Sequence, residues 1–98
     1  MTLEETEKRM RIIFNELLEL RRQKGHDYAG ERDSINNLRD FGWRGVIVRI
    51  SDKYHRLKNF VKHNKLEVKD ETIDDTLKDL IVYGFLALIM KGENRESE

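Results

Sequence analysis

Asp75 and Asp79 lie four residues apart, each carrying a carboxylate. On a helix that spacing puts both on one face, one turn apart. Two carboxylates so placed repel one another unless positive charge lies between them. Hard cations such as Mg2+ take oxygen ligands, often one or two carboxylates together with substrate phosphates. The other reading is an acidic helix start favoured by the macrodipole, to which Glu71 and Asp74 also belong. A second set of charges lies upstream. Arg49, Asp52 and Arg56 recur at helical spacing, with Asn59 and His63 further along the same flank. Lys53 falls among Val46, Ile50 and Leu57, on an apolar stripe where an ammonium group needs a partner, and Asp75 or Asp79 would serve. Arginines in this arrangement suit phosphate oxygens. The same pattern also reads as a surface ladder of ion pairs with Lys53 snorkelling.

Three further groups carry two readings each. His26, Asp27 and Tyr28 follow the expected end of the first helix. They could close over a ligand with Tyr28 stacking on a ring, or form a turn whose tyrosine packs on the core. Trp43 beside Gly42 is either a core anchor or a ring platform. Glu16 and Glu19 form another carboxylate pair, but Glu19 points away from the apolar stripe and Glu16 sits on its flank, so solvated glutamates are expected. The sequence has no phosphate-cradling glycine loop, nucleophile elbow, His-rich zinc motif or helix-turn-helix spacing.

The elements that must position these groups are helical. Met10, Ile13, Phe14, Leu17 and Leu18 recur with helical period and predict a first helix over 4–24, with a Thr2/Glu5 capping box and Gly25 as its stop. A long connection over 25–44 holds a short helix through Ile35, Leu38 and Phe41, capped by Asp33 or Ser34. Val46, Ile50, Tyr54, Leu57, Phe60 and Val61 predict a second helix over 46–63, ended by Asn64. Asp70 is expected to cap a third helix over 71–91, with Gly92 ending it and a charged, frayed tail over 92–98. The chain lacks proline, which permits long uninterrupted helices. The expected fold is all-α, with three main helices and a short one. Residues 80–90 are apolar almost all round, and Asp75 and Asp79 run into Val82, Leu86 and Met90. A helix of that kind is buried all round, so a dimer or higher oligomer through the third helix is expected.

The totals set outer bounds. Ninety-eight residues suffice for a single domain over 1–98, with a modest core. Lys plus Arg and Asp plus Glu both number 19, so there is no overall basic footprint for general nucleic-acid binding. The absence of cysteine excludes disulfides, thiolate chemistry and cysteine zinc sites, and fits a reducing compartment. No apolar run reaches about 18 residues. The charged N-terminus is unlike a signal peptide, so a cytoplasmic location without membrane contact is expected.

Four stretches, HDYAG at 26–30, NLRDFG at 37–42, VRISDKYHRL at 48–57 and VKDETIDDTLKDL at 68–80, together with Tyr83, resemble a family common in phages and some bacteria. It is catalogued as a nucleotide-modification-associated domain. That family in turn is similar to the all-α NTP pyrophosphatases, the MazG-like proteins. Those are Mg2+-dependent helical oligomers that split nucleoside triphosphates into monophosphate and pyrophosphate. Their signature is Glu-x-x-Glu on one helix and Glu-x-x-Asp on a later one. Here Asp79 matches the end of the second element, Thr76 stands where its glutamate would be, and Asp75 lies one residue earlier. Glu71 and Asp74 give a literal Glu-x-x-Asp nearer the helix start. The resemblance implies a phosphorylated nucleotide as ligand. It casts Asp75 and Asp79 as catalytic groups, holding Mg2+ with Asp52 and Glu71. Arg49, Lys53 and Arg56 would meet phosphate, with His26, Asp27, Tyr28, Asn37, Trp43 and Tyr83 around the rest of the ligand. Two readings stand beside it: a phage-type protein that sequesters a nucleotide signal without chemistry, and a protein-interaction module.

Overall fold

The protein is represented by a computed structural model that describes residues 1–27, 33–64 and 72–97, with backbone alone at 25–27 and 94–97. These residues form α1 (Leu3–Asp27), a 3-10 helix (Asn36–Phe41), α2 (Gly42–His63) and α3 (Ile73–Ser97). Among the described residues there is no strand, and the expected all-α class holds. No described helix is long and apolar enough to cross a membrane. The chain divides into two units, Met1–Asn36 and Asn37–Glu98.

In the first unit, the predicted capping box opens α1. The Glu5 backbone N–H donates to the Thr2 hydroxyl and the Thr2 N–H to the Glu5 carboxylate, both at 3.1 Å. These bonds satisfy two amides that the first turn otherwise leaves open. Gly25 does not stop the helix, which continues to Asp27 and takes in the backbone of His26 and Asp27. A glycine costs a helix only about 1 kcal/mol relative to alanine, so by itself it permits a stop without imposing one. Of the apolar stripe, Leu17 is buried, whereas Met10, Ile13, Phe14 and Leu18 stay exposed. Within its unit α1 has little to pack on besides 33–36. There the Arg21 guanidinium donates to the Ser34 carbonyl at 2.8 Å. Asp33 caps that segment as expected, its carboxylate accepting from the Ile35 N–H at 3.1 Å.

In the second unit, α2 and α3 pack as an antiparallel pair. Arg39 pairs with Glu93 and Lys53 with Asp79, so partners run backward along α3 as the chain runs forward into α2. The core between them holds Leu38, Val46, Thr76, Leu86, Ala87 and Met90. α2 begins at Gly42, earlier than the apolar period indicates. Gly42 has φ +63°, a left-handed turn that lets the chain pass from the 3-10 helix straight into α2. Gly45 then passes close beneath Phe41, where an added Cβ would lie 2.6 Å from the Phe41 Cβ. Asn64 ends α2 as expected, in the left-handed conformation (φ 55°), its N–H bonded to the Phe60 carbonyl.

α3 departs from expectation at both ends. Thr72 caps it, while Asp70 lies outside the described residues. The helix also runs through Gly92 to Ser97. Leu86 and Met90, expected beneath a second subunit, are buried within the chain itself, at 6% and 3% exposure. The apolar residues α3 leaves in solvent are Leu77, Ile81, Phe85, Leu88 and Ile89, on its opposite side.

Gly45→Ala drives a Cβ against the root of the Phe41 side chain and should lower stability by about 1–3 kcal/mol in denaturant unfolding. Gly92→Ala, where an added Cβ meets nothing within 4 Å, should lose none. Equal unfolding midpoints for the two variants would show that the close approach at Gly45 carries no weight.

Candidate functional site

The second unit brings the charged groups of α2 and α3 together around one ion pair. Lys53 Nζ lies 2.9 Å from Asp79 Oδ2. The lysine side chain is 16% exposed and the aspartate 32%. Lys53 therefore does not reach past the stripe to open water. It finds the α3 carboxylate that its position on the packing face calls for, and the choice between Asp75 and Asp79 falls on Asp79.

Asp75 has a different occupation. Its backbone N–H donates to the Thr72 hydroxyl at 3.0 Å, and the Thr72 N–H lies 3.4 Å from its carboxylate. This is a capping box closed by aspartate. Hydrogen bonding from the Thr72 side chain, then from its backbone N–H, and the nearby Lys78 charge hold the Asp75 carboxyl below the usual aspartate range. The side chain stays fully exposed. One turn on, Thr76 is fully buried and its hydroxyl donates to the Thr72 carbonyl at 3.1 Å. The place a pyrophosphatase glutamate would fill is thus a core position that accepts a small, internally bonded hydroxyl and not a carboxylate.

Along α2, Arg49 and Asp52 are exposed and Arg56 is half-buried. Trp43 is half-buried, with the Arg44 guanidinium 4.7 Å and the Lys91 ammonium 5.5 Å from its ring centroid. Its ring already holds cations, which limits its use as a platform for a base. Tyr83 is half-buried on α3 and Asn37 exposed on the 3-10 helix. The side chains of His26 and Asp27, and all of Tyr28 and Glu71, lie outside the described residues. A contact that sequence reading missed joins Arg39 to Glu93. The two groups meet through paired hydrogen bonds, one of them 3.3 Å from Nη2 to Oε1, and tie the 3-10 helix to the last turns of α3. Only the helix running past Gly92 brings Glu93 into place, so no local pattern announces it.

The fit of Mg2+ can be judged on the donors. Among the described residues, no group of three or more histidine, aspartate or glutamate side chains is placed to hold a metal ion. Asp79 is paired with Lys53, Asp75 is engaged at the helix cap and Asp52 is exposed on α2. Glu71, the remaining expected ligand, lies outside the described residues.

An antiparallel helical pair with cations on one helix and capped, paired carboxylates on the other is the class that fold and site define. The chain belongs to the family described as nucleotide modification associated domain 1, which matches residues 37–90. That span takes in the 3-10 helix, α2 and most of α3, and leaves out α1 together with the stretch at 26–30. No curated protein and no solved structure matches the chain.

Removing either member of the ion pair should destabilise the fold, but unequally. Asp79→Ala takes the counter-charge from the more buried partner and should cost about 2–3 kcal/mol, whereas Lys53→Met leaves a better hydrated carboxylate and should cost about 1 kcal/mol. Thermal and denaturant unfolding of both variants measure this, and a larger loss for Lys53→Met would contradict the burial order.

The cap adds a pH dependence. The folded Asp75 pKa is below its unfolded value of about 3.9, so its stabilisation is fully present above that value and is lost as pH falls through the folded pKa. In a carboxyl NMR titration, Thr72→Val should move the Asp75 midpoint upward toward the ordinary aspartate value. An Asp75 midpoint that is ordinary in both proteins would rule out the cap as its cause.

Proposed function

We propose that this protein recognises a phosphorylated nucleotide through the cationic flank of α2, without a Mg2+ centre built from α3. The observation that carries the reading is the Lys53–Asp79 pair. It neutralises within the chain a carboxylate that a metal would have to claim, and so removes the need for a cation there. Family membership supports a nucleotide as the ligand class. Arg49 and Arg56 stand two turns apart on one flank of α2, and Arg49 is exposed to an incoming anion. A guanidinium offers phosphate two parallel donors in a fixed plane and stays charged at any physiological pH. Asp52, between the arginines, disfavours phosphate directly above it and so directs the anion toward the side of the helix nearer α3.

The hydrolytic reading of the MazG-like resemblance has one observation in its favour. Asp75 is held ionised one turn from Asp79, on the side of α3 that carries the ion pair. Under that reading Asp79 leaves Lys53 for Mg2+ when nucleotide arrives, and the freed ammonium moves to phosphate.

Calorimetric titration with nucleoside and deoxynucleoside triphosphates, in EDTA and in Mg2+, separates these readings. Binding in EDTA is expected, and Arg49→Ala should weaken it about tenfold, the loss of one charge-assisted contact of about 1.4 kcal/mol. Because Arg49 is exposed, that variant should keep the melting temperature of the free protein. Binding confined to Mg2+, with pyrophosphate release that Asp79→Asn abolishes, would replace the binding reading with hydrolysis. Binding in neither buffer would refute both and leave a protein-interaction module.

A further inference from the structure

α3 has two apolar sides, and the second unit packs one of them. Thr76, Leu86, Ala87 and Met90 are buried within the second unit. On the other side, Leu77 and Ile81 are 46% and 44% exposed and Leu88 is 71% exposed. Gly84 falls between Ile81 and Leu88 on that side. Its presence is unexplained by the chain's own packing, because an added Cβ there would meet nothing within 4 Å. A glycine in mid-helix lowers helix stability, so an open one at this position suits the close approach of another helix. Asp74 and Lys91, both exposed, bound the apolar seam at its two ends, the Lys91 ammonium also lying 5.5 Å from the Trp43 ring centroid within the chain. From Asp74 through Leu77, Ile81, Gly84 and Leu88 to Lys91 the spacing alternates between three and four residues, as in a coiled-coil seam.

We infer that this seam is filled by α3 of a second copy of the chain, antiparallel, about a two-fold axis passing beside the helix between Val82 and Tyr83. One reversal then satisfies every position. Leu77 meets the partner's Leu88, Ile81 fills the gap above the partner's Gly84, and Asp74 comes beside the partner's Lys91. Large faces small, apolar faces apolar, and acid faces base. Such self-complementarity under a single two-fold is the mark of an isologous interface, and an unrelated partner has no need of it. A parallel pairing would set Asp74 against the partner's Asp74 and Gly84 against the partner's Gly84, joining like charges and leaving a void. The antiparallel sense also opposes the two helix dipoles favourably. The apolar run along α3 by itself points to Leu86 and Met90 as a shared surface, but both are buried in the chain. The seam lies on the opposite side of the helix, and it stands independently of any ligand.

Light scattering on the full chain should return twice the 11.8 kDa protomer mass. Gly84→Leu and Leu88→Glu should each reduce it to the protomer mass while the far-ultraviolet helical signal is kept, because both positions are open in the single chain. The absence of cysteine gives a clean test of register. When Leu77→Cys and Leu88→Cys proteins are mixed and oxidised, the unlike pair should cross-link and the like pairs should not. A protomer mass for the unaltered protein would overturn the inference and assign the face to another partner. A dimer that survives Gly84→Leu would overturn the seam, and cross-linking of like with like would overturn the antiparallel register.

Discussion

A lysine on the packing face of a helix must meet an anion or leave the interface, and much of the second unit follows from how Lys53 meets this requirement. Its ammonium reaches Asp79 across the α2–α3 contact at 2.9 Å. The pair fixes which residues of the two helices lie opposite one another. With that register set, Val46 and the Leu86–Ala87–Met90 side of α3 close into one core, and Arg39 comes level with Glu93. Hydrophobic burial drives such packing but is nearly indifferent to sliding by one turn. A partly buried ion pair is more selective, because only registers that set an α3 carboxylate opposite Lys53 keep the two charges together. The pair thus narrows the registers in which α2 and α3 of the second unit can pack.

The same contact engages a carboxylate of α3. Asp79 is neutralised by the chain's own lysine, and Asp75 is engaged at the start of its own helix by Thr72. Between them Thr76 is drawn fully into the core. An acidic cluster apparent in the one-dimensional spacing is thereby divided into a packing contact and a cap. Cationic character remains on the exposed flank of α2, where Arg49 faces solvent. The chain belongs to a nucleotide-modification-associated family, and exposed guanidinium groups suit phosphate oxygens.

Much of this architecture is written locally. The helical period, the Thr2/Glu5 box, the Asp33 cap, the stop at Asn64 and the need of Lys53 for a carboxylate on the third helix all depend on residues within a turn or two, or on one charge misplaced on a stripe. The nature of the fold and the family follow from the same information. Glycine is where local reading falters. Gly25 and Gly92 permit a stop, yet the helices continue through both, since a single glycine costs a helix too little to end it.

Tertiary structure alone decided three matters. It chose Asp79 over Asp75 for Lys53, because helical period places both on one face and only the opposing helix tells them apart. It chose which side of an all-round apolar helix faces inward, because periodicity vanishes when both sides are apolar; the buried side proved to be Leu86 and Met90, leaving Leu77, Ile81 and Leu88 outside. It also joined Arg39 to Glu93 across most of the domain. The sequence by itself determined that this chain forms helices, where the first and second ones are capped or ended, and that charge must meet charge between two of them. Which charges meet depends on the distance between helices, a quantity that no spacing along a single chain contains.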